Sequence, residues 1–355
     1  MTAERKLLTD RAGVAMQLAL LLLAISLAAA TANARNSKPG GDGLSTSCRS
    51  MVDSSAVDAP ARSSEGREPG CSARLGAALS VGPLQDIGTA AVSAIHEAVR
   101  MHGMVVFKNQ ALSRAEQVAL TDVLGETIIL PRSFEGQDTN DPEPGHPAIQ
   151  RVSTHWANGT WKGRHHSFGA YWHSDGDFWQ PPLHNVLSIL YAVTVPPSGG
   201  ETGFADLREA RAALATPLAA RAANASITAS VRDINDFAGG DEDDLARFPV
   251  AEHKILNRHL DGGSLLYVGS PSAKVVGAEG EGGELLAALM DHAASPPFTH
   301  YHAWDAGDVV VWDNTQTLHR SFPFDNDGSS RRELYRTQAR VRLGRGQGWP
   351  RRDEL

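Results

Sequence analysis

His173-Ser174-Asp175, taken with His319 far downstream, offers two imidazoles and one carboxylate. In an extended chain, residues two apart point the same way, so His173 and Asp175 can present their side chains to one ion. A third ligand from a distant strand completes one triangular face and leaves the opposite positions open. That arrangement suits Fe(II) holding a co-substrate and O₂ at once. A His-x-Asp alone says little in a chain with 14 histidines. The setting adds weight: Tyr171, Trp172, Phe178 and Trp179 flank the polar centre, as the wall of a dry metal pocket would.

Further blocks follow in order. Pro196-Pro197-Ser198-Gly199-Gly200-Glu201-Thr202 comes first, then Gly307-Asp308-Val309-Val310-Val311-Trp312-Asp313-Asn314, then Thr317-Leu318-His319-Arg320, then Arg331, Arg332 and Arg336. Together these blocks resemble the TauD/TfdA family of Fe(II)- and 2-oxoglutarate-dependent dioxygenases, over roughly Val81 to Leu343. The resemblance implies iron ligands at His173, Asp175 and His319, and 2-oxoglutarate held by Thr202 and Arg332. It also implies that Arg336 reaches an anionic group of a small-molecule substrate. The reaction it implies is oxidation of a C–H bond, with release of succinate and CO₂.

The residue types make chemical sense of that assignment. Two imidazoles and one carboxylate leave three metal positions, of which 2-oxoglutarate takes two and O₂ the last. Arginine suits a dicarboxylate because its planar fork offers paired, charge-assisted hydrogen bonds that lysine cannot. The Thr202 hydroxyl adds a donor. Metal and co-substrate supply the hard chemistry, and the protein places the target bond and excludes water. Fold and cofactor do not fix the substrate.

Stepping from Arg332 to Arg336 along an extended chain keeps one face, and Glu333 to Val341 alternates as a strand does. Arg340 shares that face, where it reads equally well as the solvated strand end; Arg331 reads as surface charge. Upstream, Asp86 to Met101 has helical apolar spacing and stops at Gly103. Met104 to Phe107 reads as a buried strand. Ser113 and Glu116 form a capping box ahead of a helix ending at Gly125. Residues 132–162 lack periodicity and hold three prolines, which suits a substrate-covering loop, apart from a strand at Ile149 to Ser153. His155, His165 and His166 read mainly as loop surface. Asn185 to Val195 reads as a central strand, Leu207 to Ala223 as a helix interrupted near Pro217, and Val268 to Gly283 as a glycine-rich loop. A helix follows from Glu284 to Ala294, then strands at Thr299 to Trp304 and Val309 to Trp312. The set predicts a mainly β fold with flanking helices (α+β), a double-stranded β-helix or jelly roll with a helical insert.

The remaining sequence sets the frame. Hydrophobic content of 41% and charged content of 21% describe an ordinary globular chain, and a net charge of −8 without a basic run argues against nucleic-acid partners. Asp241 to Asp244 reads as a solvated acidic loop. Residues 1–34 read as a signal peptide, with basic residues, an apolar stretch over Met16 to Thr31 and a small-x-small site at Ala32-Asn33-Ala34; no span is expected after cleavage. Residues 35–74 read as a disordered linker, 75–345 as the dioxygenase-like domain and 346–355 as a tail. The tail ends Arg352-Asp353-Glu354-Leu355, a retention-type signal that a lumenal receptor would read. The expected compartment is the endoplasmic reticulum lumen, with secretion or another endomembrane compartment as the alternative. Cys48 and Cys71 suit one disulfide there. Two other readings stand beside the oxygenase. One is a non-catalytic lumenal binding protein on a decayed barrel; the other is a zinc or calcium site in a jelly roll, which would leave Thr202 and Arg332 without a task. A hydroxylase of peptide side chains is a variant of the leading reading.

Overall fold

The computed structural model describes residues 52–53, 74–130, 142–163, 169–231, 250–278 and 280–341. The apolar stretch at 16–31, Cys48, Cys71, His165, His166, the acidic run 241–244 and the closing tetrapeptide lie outside these residues.

Strands Met104–Phe107, Val309–Asp313, Val186–Thr194, Glu333–Arg340 and His146–Ser153 lie side by side as the centre of a nine-stranded sheet. Their period-two alternation feeds two cores at once. Val105, Phe107, Val309, Val311, Leu187, Ile189 and Ala339 pack under the helices, with Val92, Ile95, Val99, Leu120 and Leu124. The alternate residues Met104, Val106, Val310, Trp312, Leu190 and Leu334 face the other way and meet Phe204. Phe204 belongs to a smaller sheet of Thr299–His302, Thr202–Asp206 and Thr317–Ser321. Two facing sheets with a shared inner layer make the jelly-roll core. Each fully buried side chain of this kind contributes about 1.5–3 kcal/mol, so both faces are firmly specified.

The helices obey their punctuation. Thr89–His102 ends where Gly103 turns left-handed at φ 69°, and the capping box of Ser113 and Glu116 opens Arg114–Leu124. Several boundaries differ from expectation. Leu84–Asp86 is a separate 3₁₀ turn, because Gly88 keeps the helix from starting earlier. The later helix begins at Glu281, through two glycines; a Cβ at Gly282 would lie 2.8 Å from Val275 Cβ, so close docking requires glycine there. The interrupted helix is two, Leu207–Ala212 and Thr216–Ala222, with Pro217 in the first turn of the second. The strand expected at Ile149 to Ser153 starts earlier, at His146, and His155 pairs with Trp161 in the following turn. The expected linker is not wholly structureless either: Val52–Asp53 adds in parallel to Ala77–Ala78, filling an edge whose backbone groups would otherwise lack partners. Helices and short strands between Leu207 and Phe298 form the insert. Among the described residues no helix is long and apolar enough to cross a membrane.

Candidate metal centre

His173 and His319 are joined by their own backbones. His173 N–H donates to His319 O at 3.0 Å and His319 N–H to His173 O at 2.8 Å, an isolated antiparallel bridge. The tripeptide is therefore not the continuous strand its spacing suggested: His173 sits in a bridge and Asp175 in a turn. Asn314 Oδ1 fixes that turn by accepting the Asp175 N–H at 3.0 Å. One ligand atom from each of His173, Asp175 and His319 lies within 4.8 Å of the others. His173 Nε2 is 3.8 Å from Asp175 Oδ1 and His319 Nε2 is 3.7 Å from Asp175 Oδ2.

The protonation states favour a cation. His173 Nδ1 lies 2.8 Å from the Tyr171 carbonyl, so it carries the proton and leaves Nε2 with a free lone pair. Burial holds both imidazoles below their ordinary range, against the pull of the Asp175 charge; His319 is depressed further by its neighbour His173. For Asp175, burial alone would raise the carboxyl. The Arg336 guanidinium overcomes it, helped by His319, His173 and the Ser188 hydroxyl, and the group stays well below the usual range. Two neutral imidazoles and one ionised carboxylate fit a divalent ion of the Fe(II) type. His319 Nδ1 is buried with no hydrogen-bond partner among the described residues.

Thr202 opens the central strand of the smaller sheet. Its Oγ accepts a hydrogen bond from the Trp304 indole at 2.9 Å, which leaves the Thr202 proton free to donate elsewhere. Just before it, Gly199 and Gly200 both adopt left-handed φ, 75° and 73°. A Cβ on Gly200 would stand 3.3 Å from Arg332 Nε, so the Gly-Gly pair both makes the turn and admits the arginine. Arg332 is buried and donates to Gly200 O at 3.3 Å. Burial lowers its pKa to about 10, opposed by the charge of Glu201.

Arg336 also lies at the centre. Its Nη1 is 3.2 Å from both oxygens of Asp175, and its Nε donates to Gln150 Oε1 at 2.7 Å. Arg340 instead joins Glu126 at the strand end, and Arg331 pairs at the surface with Glu333. His155 bonds the neighbouring Thr154 hydroxyl. The structure thus brings together four of the six residues singled out for chemistry, His173, Asp175, His319 and Arg336; Thr202 and Arg332 share a separate neighbourhood around Gly200. It adds Ser188, Asn314, Gln338 and Trp304, which the motifs did not flag. Gln338 had a signal, since it shares the parity of Arg336, and so had Ser188, a lone hydroxyl in an apolar strand.

The sequence profile described as "Taurine catabolism dioxygenase TauD, TfdA family" matches residues 67–338. The alpha-ketoglutarate-dependent 2,4-dichlorophenoxyacetate dioxygenase of Cupriavidus pinatubonensis is 38% identical over 172 residues, 46% of this chain and 58% of that protein. The match thus spans little more than half of that relative. The (S)-phenoxypropionate/alpha-ketoglutarate-dioxygenase of Sphingobium herbicidovorans is 28% identical over 264 residues, 71% of this chain and 88% of that protein. The crystal structure of AAD-2 in complex with Mn(II) and N-oxalylglycine superposes with a TM-score of 0.62 at 26% identity, covering 76% of this chain and 94% of that one.

Proposed function

Because the chain belongs to the TauD/TfdA family, we propose that it is an Fe(II)- and 2-oxoglutarate-dependent dioxygenase oxidising a C–H bond of a small organic substrate, with release of succinate and CO₂. The observation that carries this reading is the convergence of His173, Asp175 and His319 within one ligand-atom cluster. His173 Nε2, His319 Nε2 and the Asp175 carboxylate would hold the iron. When bound, iron and 2-oxoglutarate together supply the oxidising equivalents.

The chain's own residues do the rest. Arg332 pairs with the far carboxylate of 2-oxoglutarate, and Thr202, its Oγ already accepting from Trp304, donates its proton to the same group. Trp312 packs against the His319 ring with centroids 4.9 Å apart, keeping water from that side. Arg336 neutralises Asp175; with a divalent cation held by His173, Asp175 and His319, the guanidinium would be available to an anionic substrate. The two relatives named for an acetate and a propionate support a small carboxylate as the substrate class. A non-catalytic binding protein would have no need of an ionised carboxylate beside two neutral imidazoles.

The test is anaerobic titration of the protein with Fe(II) and 2-oxoglutarate, following the weak visible charge-transfer band of the chelate. A band that is lost in His173→Ala, and that needs far more 2-oxoglutarate in Arg332→Ala, supports the reading. A folded wild type without a band ends it.

A further inference from the structure

Behind Asp175, three side chains from three segments close a hydrogen-bond circuit whose every proton can be placed. Asn314 Oδ1 accepts from the Asp175 N–H and from the Trp312 indole, both at 3.0 Å. Its other end must then be the amide nitrogen, which gives one hydrogen to Val186 O at 3.0 Å and one to Ser188 Oγ at 2.9 Å. Gln338 Nε2 donates to Ser188 Oγ at 3.1 Å and to Asp175 Oδ2 at 3.0 Å. Turned the other way, its carbonyl oxygen would face the carboxylate. Ser188 Oγ therefore receives two N–H groups, which fill its acceptor positions. Its own proton has one direction left, to Asp175 Oδ2 at 2.9 Å.

The supports of this circuit are rigid. Ser188 and Gln338 are direct cross-strand partners in the centre of the large sheet. Asn314 stands on a turn pinned by Asp313, whose carboxylate accepts from His259 Nε2 and Gln316 Nε2, each at 2.8 Å. All three circuit residues are buried.

Resting on the metal-centre reading above, we propose that Ser188, Asn314 and Gln338 are positioning residues that make Asp175 a one-oxygen ligand. Among the described residues two donors, Ser188 and Gln338, occupy Oδ2, whereas Oδ1 is approached by Arg336 Nη1, which straddles both oxygens. The consequence is a coordination count. Two imidazoles and one carboxylate oxygen leave three positions, enough for a bidentate co-substrate and O₂; a carboxylate bound through both oxygens would leave two. With a metal bound, the circuit would thus leave the last position open.

The experiment compares the full chain with Ser188→Ala, Ser188→Thr and Gln338→Met, the last keeping length and volume while losing the donor. Mn(II) stands in for iron, with affinity and spectrum read by electron paramagnetic resonance. Metal-free melting temperature is read alongside. Ser188→Ala and Gln338→Met should each lose about 10- to 100-fold in Mn(II) affinity, the range for groups that orient a ligand, with an altered Mn(II) spectrum. Ser188→Thr, which keeps the hydroxyl, should retain the wild-type signal. Affinities within two-fold of wild type in both donor-deleted variants overturn the proposal. So does a loss that tracks the melting temperature while the spectrum stays unchanged. If wild type fails to bind Mn(II), or His173→Ala binds as well, the metal-centre reading itself has failed.

Discussion

Arg332→Met should move stability and co-substrate binding in opposite directions. Burial brings the Arg332 pKa down to about 10 from the ordinary arginine range. At about 1.4 kcal/mol per tenfold change in proton affinity, the charged side chain sits roughly 3 kcal/mol above its reference in water. The sign follows from linkage. A base whose folded pKa is depressed disfavours the folded state at every pH where the unfolded group is charged. That penalty is relieved only as pH rises through about 10. At neutral pH it is fully present, and the long hydrogen bond to Gly200 O at 3.3 Å offsets little of it. Methionine removes the charge and keeps much of the stem's packing, so the metal-free protein should gain about 1–3 kcal/mol. Loss of a buried, charge-assisted pair should cost 2-oxoglutarate binding about 2–5 kcal/mol, or roughly 30- to several thousand-fold. Urea denaturation of the metal-free protein measures the first, and anaerobic titration of the Fe(II) form the second. A variant less stable by more than about 1 kcal/mol, binding 2-oxoglutarate as wild type does, refutes the reasoning.

Other expectations are narrower. Trp304→Phe removes the donor that directs the Thr202 hydroxyl, and should weaken 2-oxoglutarate binding about five-fold, the worth of one neutral hydrogen bond; in a Thr202→Val background it should change nothing, which a double-mutant cycle checks. Gly200→Ala forces a Cβ onto a left-handed residue beside Arg332, and should cost about 1–2 kcal/mol in urea denaturation and displace the arginine enough to weaken 2-oxoglutarate. Burial lowers the His184 pKa to about 3 and that of His300 to about 4. Both are neutral when folded but take a proton near pH 6.5 when unfolded, so stability should be full above that pH and fall towards pH 4, with a shallower fall in His300→Gln. If the stretches at 16–31 and 352–355 act as addresses, the full chain expressed in a eukaryotic cell should stay in the lumen, and removal of 352–355 should send it to the medium, as fractionation would show.

Much of the site was legible because its residues are ones that only chemistry explains. His173, Asp175 and His319 are scattered along the chain yet form a possible ligand set, and Gly199-Gly200 marks a left-handed turn that favours glycine. The arginine parity pointed to Arg336, which reaches Asp175, but left Arg340 open between a site contact and the strand end, where it pairs with Glu126. What stayed hidden was of another kind. Ser188 and Gln338 left only a faint trace in the linear pattern, because their pairing is a cross-strand register, and Asn314 acts from a turn. The strand at Val52–Asp53 is too short to read from a linear pattern; it pairs with Ala77–Ala78 at the edge of the sheet. The helix start at Glu281 runs against the low propensity of Gly282 and Gly283, since tight docking on Val275 outweighs it. His173 and Asp175 converge through a bridge and a turn, so the two-residue spacing pointed to the right side chains through the wrong local geometry.

The backbone bridge between His173 and His319 also bears on when the protein acquires its metal. The two segments it joins are far apart in sequence; the neighbouring bond from Ser174 Oγ to Thr317 O spans 143 positions. Pairings that distant form only after the long intervening loop has closed, which makes them slow. Until then the chain offers His173 and Asp175 alone, a weak two-ligand site. Iron can therefore seal a finished topology but cannot template it, unlike small zinc domains whose metal drives folding. Metal uptake during refolding should lag the appearance of secondary structure and serve as a clock for completion of the barrel.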